Sequence, residues 1–86
     1  MNRIDVTQAA IRDFNKDDPE WEKPYVNWLA HYVGPVVPHD PGTCISKGEG
    51  WEFKVDSEVK NFKVTVHWCV YIDDPKLANL FAIRWL

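Results

Sequence analysis

The chain is short of positive charge. Ten Lys and Arg stand against thirteen Asp and Glu, giving a formal charge of -3 and a pI near 5.5. A protein that grips a phosphate backbone needs a basic patch, so this balance argues against direct nucleic-acid binding. Two cysteines, Cys44 and Cys69, are too few for a disulfide scaffold and read as free thiols. No apolar run approaches the roughly 20 residues of a membrane span, which excludes a helical membrane protein. Met1-Asn2-Arg3-Ile4-Asp5 lacks the apolar stretch of a secretory leader, so the expected location is the cytoplasm.

Catalytic and cofactor motifs are equally scarce. Lys47-Gly48-Glu49-Gly50 has neither the Gly-Lys-Ser/Thr ending nor the following helix of a phosphate loop and reads as a turn. Asp17-Asp18 and Asp73-Asp74 are ordinary turn and capping chemistry. No ligand pairs occur at zinc spacing, so neither metal nor cofactor is expected.

Aromatics are abundant instead. Five Trp, three Tyr and four Phe in 86 residues supply large packing groups, each able to bury about 150–250 Å², to a domain with little interior. The strongest pattern is the alternation from Phe62 to Ile72. Phe62, Val64, Val66, Trp68, Val70 and Ile72 face one way, and Lys63, Thr65, His67, Cys69 and Tyr71 the other, as in a strand with one face buried. The side bearing His67 and Cys69 is thereby predicted to face away from the core. Trp51, Phe53 and Val55 alternate similarly over 51–57, and Phe81, Ile83 and Trp85 over 80–86.

Two helices are expected earlier. Asp5 with Gln8 resembles a capping box opening a helix over about 5–14, with Ala10, Ile11 and Phe14 sharing a face. Asp18-Pro19 marks the start of a second over about 19–33, whose stripe runs through Trp21, Tyr25, Trp28, Leu29, Tyr32 and Val33 until Gly34-Pro35 stops it. Residues 34–50 read as a long loop. The predicted fold is a single α+β domain, two N-terminal helices packed on a three-stranded antiparallel meander.

Two functional readings follow. In the first, the protein is a non-enzymatic binder of another protein. Asp13, Asp17, Asp18, Glu20 and Glu22 form an acidic corner around Trp21, suited to a basic surface on a partner. His67 and Tyr71 extend the candidate contact set onto the outer sheet face. By class analogy such small acidic proteins serve as inhibitors, among them phage-encoded blockers of host defence nuclease complexes and immunity partners of nuclease toxins. A homodimer through an exposed edge strand or through Leu80 to Leu86 belongs to the same class. In the second, His67, Cys69 and Tyr71 meet His39 and Cys44 of the 34–50 loop in a small enzymatic, metal or ligand site. Residues 67 and 69 lie about 7 Å apart along a strand, which is long for proton transfer between them.

Overall fold

The computed structural model describes residues 1–13, 17, 18, 20–40, 42 and 44–86. Its elements are β1 (Asn2–Asp5), α1 (Thr7–Asp13), α2 (Lys23–Tyr32), β2 (Ser46–Gly48), β3 (Trp51–Lys60), β4 (Lys63–Ile72) and α3 (Pro75–Trp85). The four strands form an antiparallel sheet in the order β1-β4-β3-β2. The α+β class and the central hairpin agree with the sequence expectation. The sheet has four strands rather than three, and a C-terminal helix replaces the strand expected at 80–86.

That replacement has a local cause. Asp74 is in extended conformation, its carboxylate accepts the Lys76 N–H at 2.8 Å, and Pro75 takes a first-turn position where no N–H is needed. Leu77, Ala78, Phe81 and Trp85 then recur at helical spacing and reach the core, whereas Ile83, inward in the strand reading, is 81% exposed.

The second helix starts later than expected. Glu22 stands at the N-cap and Pro24 in the first turn, while Asp18 caps a local turn by accepting the Glu20 N–H at 2.9 Å. Pro19 and Phe14 lie outside the described residues. In α1 the buried residues are Ala9 and Ala10, preceded by Val6, and Ile11 is 65% exposed instead of sharing the buried face.

The loop at 34–50 is tied down. It contains β2, a bridge between Val36 and Gly48, and bonds from Val37 N–H to Lys47 O and from Glu49 N–H to Pro35 O, both at 3.0 Å. Trp51 explains the closeness. Its indole N–H donates to Gly34 O at 2.7 Å and lies so near Gly48 that a Cβ there would fall 2.1 Å from Nε1.

The core joins α2 and α3 to one sheet face. Tyr25 and Leu29 meet Trp51, Phe53, Val70, Ile72 and Phe81, with Val6 and Ala78 closing the edges. Tyr25 packs edge-on against Phe53 at 6.0 Å between centroids.

The helices cannot cover the whole hairpin. Ten strand residues extend about 33 Å, while helices of ten and eleven residues reach only about 15–16 Å. The distal half of β3 and β4 therefore projects as a two-stranded arm. On its inward side Val55, Val59, Val64 and Val66 are exposed although the alternation is intact. The radius of gyration, 13.0 Å, exceeds the roughly 12 Å of a compact chain of this length.

The arm ends in a two-residue turn, Asn61-Phe62, with φ of 51° and 63°. Positive φ at both positions suits Asn and Gly; for Phe62 the left-handed conformation costs about 1 kcal/mol or more.

Two stability outcomes test this architecture. Phe81→Ala should cost about 3–5 kcal/mol in denaturant unfolding, as for a deleted core aromatic, and Ile83→Ala should stay within about 0.5 kcal/mol, as on an exposed surface. Comparable losses at both positions would restore the strand. In dilute solution Phe62→Gly should stabilise by roughly 0.5–1 kcal/mol, after allowing for glycine's freedom in the unfolded chain, and raise Tm by a few degrees.

Candidate functional site

Two surfaces carry the residues of interest, on opposite faces of the sheet. The outer face, away from α2 and α3, holds a polar network. Pairing places Arg3 beside Tyr71, Asp5 beside Cys69 and Asp56 beside His67. Tyr71 O–H donates to Asp56, whose carboxylate also takes Arg3 Nε at 3.3 Å, and Lys54 Nζ lies 4.6 Å from the centre of the Tyr71 ring.

Asp5 anchors the edge of the network. One carboxylate oxygen accepts the Thr7 backbone N–H at 2.9 Å and the Thr7 hydroxyl at 2.6 Å, while the other lies 3.0 Å from His67 Nδ1. The Thr7 hydroxyl also accepts the Trp68 N–H at 3.0 Å, and Val6 N–H donates to Trp68 O at 2.7 Å. This relay clamps the start of α1 onto β4.

These contacts shift several groups. The Thr7 hydroxyl and N–H, with help from His67, hold Asp5 below the usual 3.8. Tyr71, then Arg3, do the same for Asp56, and the Asp56 carboxylate in turn pushes the Tyr71 phenol up. Burial raises the Cys69 thiol. Cys69 points to the outer side as its parity requires, yet it is 0% exposed, which corrects the expectation of an accessible thiol.

An imidazole–carboxylate pair such as His67–Asp5 could in principle relay a proton. Its neighbouring thiol, however, is buried and disfavoured as thiolate. Cys44 is also buried and unbridged, and the His39 ring turns toward Val37 O at 3.4 Å. Among the described residues no three His, Cys, Asp or Glu gather closely enough to hold a metal ion, and no helix is long and apolar enough to cross a membrane.

The inner face presents the second surface. Where α1 and the turn before α2 approach β4, Ala10, Ile11, Trp21 and Trp68 line an open apolar cavity of about 240 Å³. Trp21 and Trp68 meet edge-on with centroids 5.0 Å apart. The bare side of the arm continues from this cavity, since Val55 pairs with Trp68, Ser57 with Val66 and Val59 with Val64. Val59 is 73% exposed and Phe62, at the tip, is fully so.

The expected contact residues therefore divide. Asp17, Asp18 and Glu20 are exposed and Glu22 half-buried beside Trp21, with Glu20 paired to Lys23 at 2.8 Å. Asp13 ends α1, and its side chain lies outside the described residues. His67 and Tyr71 belong to the outer network, separated from Trp21 by the sheet. Val55, Phe62, Val64 and Val66 were expected on the core side and are exposed instead; Val59, expected in a turn over Ser57 to Lys60, joins them because β3 continues to Lys60 and the turn falls at Asn61-Phe62. Comparison with known proteins gives no match to any family model, curated protein or solved structure.

Two measurements follow from the outer face. Carboxylates held below 3.8 leave the folded chain with fewer protons than the unfolded chain in that range. The stability they add is complete above 3.8 and is lost as pH falls through their folded values. Urea midpoints should accordingly drop on acidification below about pH 4, and Asp56→Asn should lower the midpoint at pH 7 and flatten the acid limb. Alkylation of both cysteines should be slow in native buffer and accelerate with denaturant; fast native labelling of Cys69 would contradict its enclosure.

Proposed function

We propose that this protein works by binding another protein through the apolar side of its β3–β4 arm and the cavity at the arm's base. The observation that carries this reading is the uncovered face itself. Val55, Val59, Val64 and Val66 share the inward side with Ser57, lie in register across two strands, and are 39%, 73%, 66% and 44% exposed. An isolated two-stranded hairpin is marginal in water, so an arm of this kind gains from being covered. Contiguous exposed apolar area rimmed by charge is the usual mark of a contact surface.

The acidic corner has a supporting part. Asp17, Asp18, Glu20 and Glu22 lie within four positions of Trp21, which lines the cavity, and so favour a partner that brings basic groups beside an apolar anchor. Such charges speed encounter and make it salt-sensitive, while the apolar contact sets the lifetime of the complex. An inhibitor or immunity-type factor that covers a basic site on its target would use this combination.

The test is capture by the immobilised full chain, compared with two variants. Val59→Thr with Val64→Thr should abolish specific capture. Replacing Asp17 and Asp18 by Asn, which keeps an acceptor for the Glu20 N–H, and Glu20 by Gln should slow association and weaken its salt dependence with only a small fall in Tm. Capture that ignores the arm substitutions would defeat the proposal.

A further inference from the structure

The arm has open edges as well as an open face. β2 pairs with β3 only as far as Phe53, and β1 with β4 only over Cys69 to Ile72, so both strands of the hairpin run past their neighbours. Backbone groups of an antiparallel strand point alternately to one side and the other. Phe53 O accepts the Ile45 N–H at 2.8 Å and Trp68 O accepts the Val6 N–H at 2.7 Å, which identifies the outward set as Val55, Ser57 and Val59 on β3 and Val64 and Val66 on β4. Among the described residues nothing bonds the backbone N–H or C=O of these five on that side. The β3 edge is the longer of the two, and it carries neither proline nor bulge.

We infer that this edge receives an extended segment of the partner as an antiparallel fifth strand, opposite Lys54 to Lys60. This rests on the reading of the arm as a contact surface and goes further by naming the form and charge pattern of what binds there. An added strand brings the arm from two strands to three, the number at which a sheet with an apolar face holds in water. Its backbone takes up the free groups, and parity puts its alternate side chains beside Val55, Ser57 and Val59 on the apolar side.

Charge selects the sequence of that segment. On the outer side the edge reads Lys54, Asp56, Glu58, Lys60, basic at both ends and acidic between. Asp56 is partly satisfied by Arg3 and Tyr71, which leaves Glu58, its side chain 64% exposed, as the main acidic contact. The matching strand alternates acid, apolar, base, apolar, base, apolar, acid. A second copy of this chain fails the requirement. Two β3 edges paired antiparallel about Ser57 would set Asp56 against Glu58 and Lys54 against Lys60, like against like at every charged position. The occupant is therefore a different protein, with basic residues at the centre of the strand it donates.

The probe that tests this is the heptapeptide Glu-Val-Lys-Val-Lys-Val-Glu, blocked at both ends, whose pairing with itself meets the same like-charge penalty. Titrated into the full chain and followed by amide NMR, it should bind saturably, shift the Val55, Ser57 and Val59 amides and slow their hydrogen exchange. Methylating its valine nitrogens, which face β3, should weaken binding by about tenfold or more, while methylating its lysine nitrogens, which face away, should keep most of it. Exchanging Glu with Lys throughout the probe should also cost about tenfold. On the protein, Ser57→Pro removes an outward N–H without breaking the β3–β4 ladder, so it should keep the folded spectrum and lose the probe. If that variant unfolds, the methylated probes still decide.

No binding up to millimolar probe, binding indifferent to methylation of the valine nitrogens, or shifts confined to residues away from the β3 edge would overturn the inference. So would a wild type that self-associates and loses the association in Ser57→Pro, which would put a second copy on this edge. If the full chain nevertheless captures a protein in an arm-dependent way, the contact-surface reading stands without strand addition. If that capture fails as well, both fall.

Discussion

A β-strand advances more than twice as far per residue as an α-helix, and most of what distinguishes this molecule follows from that ratio. Strands and helices of nearly equal residue number cannot match in length. The chain uses its helices on the proximal half of the hairpin, where Trp51, Phe53, Val70 and Ile72 are sealed, and leaves the distal half bare. Side-chain alternation is the same in both halves. What differs is whether anything lies above it.

That distinction explains what could be read from residues alone. The period of two assigned the side chains of 51–56 and 63–72 to their faces, including the outward parity of His67 and Cys69, but it put the turn at Ser57 to Lys60 instead of Asn61-Phe62. Parity says nothing about cover, so Val64 and Val66 looked like core, and the thiol of Cys69 looked accessible although its neighbours bury it. The length mismatch was the available clue. The C-terminal segment was ambiguous because Phe81, Ile83 and Trp85 fit alternation while Leu77, Ala78, Phe81 and Trp85 fit a helix. Asp74-Pro75 should have decided between them, since an N-cap followed by proline is helix-starting chemistry. β1 has a single apolar residue, Ile4, and no period to detect; the edge of β4 gives it a partner.

The two faces of the sheet also do different work. On the outer face the charged and polar groups largely satisfy one another, with Asp56 engaging both Tyr71 and Arg3, and Asp5 engaging both Thr7 and His67. Such a face adds orientation and pH sensitivity and has few groups left over for a ligand. The inner face has the reverse character at its distal end, where Val59 and Val64 are mostly exposed. The candidate contact residues on the acidic corner take their meaning from Trp21, which connects them to that inner surface rather than to His67 and Tyr71.

The tryptophans make these regions optically distinct. Trp51 is locked by its bond to Gly34 and the close passage of Gly48, so its surroundings change only when the fold itself opens. Trp21 and Trp68 line the open cavity, where an entering group would displace water from their rings. Intrinsic emission from this chain therefore combines a reporter of integrity with a reporter of occupancy, and no dye is needed to watch the second against the first.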